Sequence, residues 1–206
     1  MGAYICALDI SEEMFRLKKK LSEEVFAKVR GDIIAGKYSA RDFISESEIA
    51  KEYNVSKAPV KEALHLLADQ GYLVSYPRKG YMVNTFSRDE VNQIQEVRRA
   101  LETLCVQRVV KYAADDEINS LQEAIMDTTS KDEPEKTVNY RFHMKLAEIS
   151  GNPVIPQTLE KLVNIASMTQ IDRAADIDNF KEIIKALQKR DEKAAVHWIQ
   201  TDISNI

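Results

Sequence analysis

The sequence predicts a mainly α-helical chain in two parts: three helices closed by a two-stranded hairpin, followed by an all-helical bundle. Three observations carry this. Apolar residues recur at helical spacing through most of the chain, as in Val25, Phe26, Val29 and Ile33. Residues 72–86 alone show the alternation and the β-branched or aromatic content of strands. Aromatic content is 7% and there are six glycines, which favours helices over sheets.

Residues 1–20 form an extension, either one or two amphipathic turns or an arm, whose Lys18, Lys19 and Lys20 read most simply as a solvated face. Residues 21–36 read as a helix stopped by Gly36, and an irregular stretch, KYSARDFI, follows. Ser45 with Glu48 is a capping-box pair opening a short helix that ends near Asn54, a residue tolerant of left-handed backbone. Ser56 is placed to cap the next helix, where Pro59 falls in the first turn and its missing N–H does no harm. Val60, Ala63, Leu64 and Leu67 share one face of this helix, and Gly71 ends it. YLVSY and GYMVNTF then form a hairpin with a basic tip. Ser87 and Glu90 make a second capping box at the head of a long helix from about Asp89 to Ala114. Breaks at Asp115–Asp116, Lys131–Pro134, Gly151–Pro153, Arg173–Asp178 and Arg190–Asp191 divide the rest into about six helices after residue 87. The domains expected are an extension (1–20), a helix-and-hairpin domain (21–86) and a helical domain (87–206).

The bulk numbers bound the function. With 206 residues, 44% hydrophobic and 30% charged, the chain is ordinary globular material for one large or two small domains. Its net charge of −4 means that any nucleic-acid surface is local. Cys6 and Cys105 are far apart and no C-x-x-C occurs, so no thiolate zinc site is expected; Cys105 sits in an apolar stripe as a small buried hydrophobe. No apolar run approaches the ~18 residues of a membrane span. MGAYICALDI lacks the charged and long apolar regions of a signal peptide. The expected location is the cytoplasm. A Gly-rich phosphate loop, a nucleophile elbow and an H-E-x-x-H motif are all missing from the sequence, so an enzyme is not expected.

Helix, short turn, helix, hairpin is the order of a winged helix-turn-helix, whose second helix enters the major groove. If the apolar face packs inward, Lys57, Lys61 and His65 stack outward at four-residue spacing, with small Ser56 and Ala58 at the tip. Pro77-Arg78-Lys79-Gly80 becomes the wing. Two lysines on a helix, or one basic turn, are ordinary surface. Their joint order carries the weight.

SEIAKEYNVSKAPVKEALHLLADQGYLVSYPRKGYMV resembles the signature of GntR-type regulators, and the resemblance covers about residues 21–84. It implies a DNA-binding regulator whose DNA-facing positions are Ser47, Ser56, Lys57, Lys61, Arg78, Lys79 and Gly80, to which the helix-tip reading adds Ala58. Arginine is usual where Ser47, Lys57 and Lys61 stand. Lysine keeps the charge but not the bidentate fork, and Ser47 keeps neither. The usual Pro-Gly after Gly36 is replaced by Ser39-Ala40-Arg41.

Residues 87–206 resemble the FCD effector domain of the FadR subgroup through Arg98-x-x-Leu101-Glu102, NYRFHMKLAEISGNP and IIKALQKRDEKAA. The resemblance implies a homodimer that binds a pseudo-palindromic double-stranded operator, commonly as a repressor, and is released by a small carboxylate or acyl metabolite. It also implies a metal held by one Asp and three His. Those positions here are Asn139, His143, Phe180 and Asp202, so no metal or other cofactor is expected. Arg98, Asn139, His143 and Asp202 are the effector-facing residues by the same resemblance. Arg98 either grips an effector carboxylate or pairs with Glu102 at four-residue spacing. A bundle that only dimerises, without an effector, is the alternative.

Overall fold

The computed structural model describes residues 20–40, 42–126, 138–169 and 177–204. The expected extension lies outside the described residues except for Lys20, as do Cys6, Arg41, the break at 131–134 and most of that at 173–178. The chain divides into two compact units, Met1–Asn84 and Thr85–Ile206. The boundary expected at Phe86–Ser87 falls two residues later.

In the first unit, a helix over residues 20–34 (α1) buries Val25, Val29 and Ile33 and ends at Gly36, whose φ of 74° is left-handed. β1 (Phe43–Ile44), α2 (Glu46–Glu52), α3 (Lys57–Asp69), β2 (Leu73–Tyr76) and β3 (Gly80–Val83) follow. α2 begins in the expected capping box: the Ser45 hydroxyl accepts from the Glu48 N–H, and the Glu48 carboxylate accepts from the Ser45 N–H. Asn54, at φ 54°, turns the chain into α3. Val60, Ala63, Leu64 and Leu67 are buried as their spacing predicts, and Pro59 is buried in the first turn. Val29, Ile49, Tyr72 and Tyr81 are buried in the same unit. Arg30, itself buried, donates from Nε to the Tyr72 hydroxyl at 2.6 Å.

Two expectations for this unit are corrected. The wing is not a two-stranded hairpin but a three-stranded antiparallel sheet in the order β1-β3-β2. Phe43 pairs with Met82 and Ile44 with Tyr81. Two residues are too short for alternation to register, so β1 reads as irregular in the sequence. Ser56 stands at the N-cap of α3 with extended backbone, but its side chain makes no capping hydrogen bond.

The second unit has α4 (Arg88–Tyr112), α5 (Asp115–Met126), α6 (Val138–Ile149), α7 (Val154–Met168), α8 (Ile177–Gln188) and α9 (Glu192–Ser204), six helices among the described residues. The Ser87–Glu90 capping box opens α4. α4 packs against α9, α7 and α6, while α5 packs against α6 and α8. Leu121, Phe142, Leu146, Leu159, Phe180 and Ile199 centre the core. Cys105 is fully buried among them. Arg190, at φ 57°, closes the end of α4 by donating to the Val109 and Val110 carbonyls.

Candidate nucleic-acid interface and buried polar cluster

α3 presents its polar residues in one place because its apolar ones are pinned. With Val60, Ala63, Leu64 and Leu67 against the core, Ser56, Lys57, Ala58 and Lys61 are left exposed on the first two turns. The first turn holds no acidic residue. The helix dipole and the uncapped N–H groups there add positive potential to the two ammonium groups. His65 continues the face and lies edge-on to Tyr81, with ring centroids 6.0 Å apart. Ser47 is exposed in the first turn of α2.

At the hairpin tip, Arg78 and Lys79 are exposed, and Arg78 adopts a left-handed φ of 66°. The Lys79 ammonium lies 5.9 Å from the centre of the Phe43 ring, which itself meets Tyr76 edge-on. β1 therefore buttresses the wing. Gly80 has φ 106°, and a Cβ there would sit 2.6 Å from the Ile44 carbonyl oxygen. Its visible role is to let β3 pass close to β1 and so to shape the tip carrying the two cations.

In the second unit, the effector-facing residues converge. Arg98 and Glu102 are 1% and 0% exposed, and the Arg98 Nε donates to Glu102 at 2.6 Å. The other Glu102 oxygen takes a short hydrogen bond from Nδ1 of the fully buried His143. On the far side of the ring, His143 Nε2 lies 2.9 Å from Asn139 Oδ1 and 3.2 Å from Asp202 Oδ2. Phe180 meets His143 edge-on at 5.7 Å and stacks on Phe142 at 4.1 Å. Both imidazole nitrogens face acceptors, which calls for two N–H donors and hence imidazolium. Burial works against that charge, but the Glu102 carboxylate and the Asp202 hydrogen bond overcome burial and the nearby Arg98 and raise the His143 pKa. Burial likewise opposes the Glu102 charge, and His143 and Arg98 together hold its carboxyl below the usual value.

Of the two expected partners for Arg98, Glu102 is the one present in the structure. The four-residue spacing pairs Glu102 with Arg98, but nothing local in the sequence sets it against His143. A carboxylate on the α4 face shared with Cys105, Val106 and Val109 is the signal, since a charge there is buried and must be matched. Gln95 precedes Arg98 on this face. It is 5% exposed, and neither of its amide atoms has a hydrogen-bond partner among the described residues. His197 is exposed on α9 and contacts Trp198 rather than the cluster.

The residues present do not fit a transition metal. They supply one imidazole, one neutral carboxamide oxygen and one carboxylate, with an aromatic ring in the remaining place. A closed zinc site takes four N, O or S donors, a ligating imidazole nitrogen must be unprotonated, and the described residues hold no group of three or more His, Cys, Asp or Glu placed for a metal. Here Nε2 is hydrogen-bonded to the same oxygens that would join it as ligands.

A small three-helix domain with a cationic helix tip and a glycine-shaped basic wing, followed by a helical domain with a polar centre, defines a DNA-binding transcriptional regulator. Residues 21–83 match the bacterial regulatory proteins of the gntR family, and residues 93–205 match the FCD domain. The chain belongs to the gntR family and carries an FCD domain. It is 26% identical to the uncharacterized HTH-type transcriptional regulator YdhC of Bacillus subtilis, over 79% of each chain. It is 24% identical to the HTH-type transcriptional repressor RspR of Escherichia coli, over 84% of this chain and 82% of that one. The solved structure of Escherichia coli McbR/YncC shares the fold, with a TM-score of 0.67 at 19% identity over 89% of this chain and 93% of that one. Family and relatives are transcriptional regulators, not enzymes. No helix among the described residues is long and apolar enough to cross a membrane.

Proposed function

We propose that this chain is a cytoplasmic homodimeric repressor of the FadR subgroup. Two copies of α3 enter successive major grooves of a pseudo-palindromic operator, and the wings follow the adjacent backbone. One observation carries the reading: Lys57 and Lys61 are exposed on the same α3 turns whose other side, Val60 and Leu64, is fully buried. Lys57, Lys61, Arg78 and Lys79 supply phosphate charge or contacts to guanine, and Ser56 and Ala58 allow the backbone to approach closely. Ser47 offers a hydroxyl at the edge of this surface.

Control comes from a small carboxylate or acyl metabolite, an organic acid above all, bound beside Arg98, Asn139, His143 and Asp202 without a metal. The unpartnered Gln95 amide next to Arg98 supports a polar ligand there. The ligand must prefer one relative orientation of the DNA-binding units; equal affinity for both would shift nothing. A second reading, a bundle that only dimerises, is favoured by Glu102 already occupying both Arg98 and His143. A thermal-shift panel of small mono- and dicarboxylates separates the two. Stabilisation that is lost in Arg98→Ala supports sensing, and a flat panel supports the second reading.

The DNA reading is tested by operator binding across a salt series. Lys57→Ala and Lys61→Ala are each expected to weaken binding about a hundredfold, on the order of one charged hydrogen bond in each of the two copies. Each is expected to flatten the dependence of log affinity on log salt by about 2, about 1 for each of the two copies. Unchanged affinity and slope in both variants would remove α3 from the interface.

A further inference from the structure

α6 has two faces. Asn139, Phe142, His143, Leu146 and Ala147 turn inward and are buried. Arg141, Met144, Lys145 and Glu148, at three- and four-residue spacing, turn the other way. α5 and α7 each pack on α6, and residues of all three helices line an open cleft of about 600 Å³. That is the size of a small-molecule site. Met144, Ala124 and Pro156 give it an apolar floor. Its walls are fixed to α6. The Tyr140 hydroxyl donates to Glu160 of α7 at 2.7 Å, and the Arg141 Nε donates to the Ala124 carbonyl of α5 at 3.4 Å. Charged residues on a helix surface are usually solvated on their own. Here Arg141, Lys145 and Glu160 are half-buried although they lie on outer faces.

The charges in this cleft are of both signs, yet two of them stay unmatched. Glu123 lines it from α5, and no hydrogen bond or ion pair engages its carboxylate among the described residues. Lys145 lies 3.8 Å from Glu148, too far for a hydrogen bond. Three carboxylates, Glu123, Glu148 and Glu160, share the cleft with two cations, Arg141 and Lys145. A simple organic acid would meet an excess of carboxylates there, and a diamine would meet both cations. A ligand carrying both signs suits both sets, and the surplus carboxylate favours one with a net positive charge. We propose that this cleft is a ligand site separate from the buried cluster, and that it takes a basic α-amino acid. Lys145 receives the ligand carboxylate and Glu123 its α-ammonium group. The side-chain cation goes to Glu160, one of whose oxygens accepts from Tyr140, and the aliphatic stem lies over Met144.

The test is titration of the full chain with L-lysine and L-arginine, followed by calorimetry and by ligand-observed NMR. Both are expected to bind. Cadaverine and agmatine lack the carboxylate, and ε-aminocaproate lacks the α-ammonium group. Each is expected to bind about tenfold more weakly or worse, the loss of one charged hydrogen bond. Glu123→Gln and Lys145→Gln are each expected to weaken L-lysine binding by the same order. Circular dichroism and melting should stay as in the wild type, because neither side chain has a hydrogen bond to lose. Succinate, of the carboxylate class proposed for the buried cluster, is expected not to compete. Competition by succinate would return the binding to that cluster and overturn the second site. Agmatine binding as tightly as L-arginine, unchanged affinity in both variants, or no binding of either amino acid at millimolar concentration would overturn it too. None of these outcomes bears on the DNA reading of α3.

Discussion

Glu102 is the residue on which the centre of the helical unit turns. It accepts from Arg98 with one oxygen and from His143 with the other, in a site fully closed to solvent. Removing one member of such a cluster leaves the others charged and unmatched, a loss of about 3–5 kcal/mol. Glu102→Ala is therefore expected to destabilise this unit by that order in urea unfolding, whereas Asp202→Asn, at a partly open edge of the cluster, is expected to do so less. Equal losses in the two variants would contradict the ranking. The same contacts set a pH dependence. The His143 pKa is raised above 6.5, so the stability it adds is complete below that pH and is lost as pH rises through the folded value. The Glu102 pKa lies below 4.5, so its share is complete above that pH and is lost as pH falls through the folded value. The cluster stabilises most between about pH 4.5 and 6.5. The stability gap between the wild type and His143→Gln is expected to be widest in that window and to shrink toward alkaline pH. A gap that widened toward alkaline pH would rule out the imidazolium.

At the level of single elements, the wing depends on a contact that no local pattern encodes. Gly80 passes so close to β1 that an added Cβ would meet the Ile44 carbonyl at 2.6 Å, and its φ of 106° suits glycine alone. Gly80→Ala is expected to weaken operator binding by distorting the tip, and to lower the stability of the first unit by about 1–3 kcal/mol. The helical unit should melt as before. Binding unchanged in Gly80→Ala would mean that the wing does not touch DNA. The same element shows where legibility stops. β2 and β3 are plain from alternation and the Pro-Arg-Lys-Gly turn, but β1 is two residues long and is defined by its pairing with β3. The two capping boxes are local four-residue devices and read correctly from Ser45–Glu48 and Ser87–Glu90. Ser56 has the right type and place for a cap, yet its hydroxyl makes no capping bond. Whether a side chain folds back or faces outward is decided by rotamer and surroundings, which spacing does not fix. In the helical unit, the four-residue step from Arg98 to Glu102 is legible. The convergence of Asn139, His143, Phe180 and Asp202 from three helices came only through resemblance to a family, because tertiary proximity leaves no periodic trace in one sequence.

For the molecule as a whole, the two units carry separate cores. The first closes over Val29, Val60, Leu64 and Tyr72, all fully buried within the unit Met1–Asn84. A fragment of residues 20–86 is therefore expected to fold cooperatively, with modest stability for its size. If the chain is the homodimer proposed above, the fragment loses the link between two copies. Without the helical unit, each fragment would then meet its half-site alone, and the second contact would no longer be held at high effective concentration. The loss on a two-half-site operator is expected to be about 10²–10⁴-fold. Affinity for an isolated half-site should match that of one arm of the full chain, and the salt dependence should fall to about half, because half the phosphate contacts are made per binding event. Lys57→Ala should flatten the slope of the fragment by the same ~1 as in each arm of the full protein, since the α3 surface is complete within this unit. If the fragment instead bound the full operator as tightly as the intact chain, the pairing of copies would reside in the DNA-binding units.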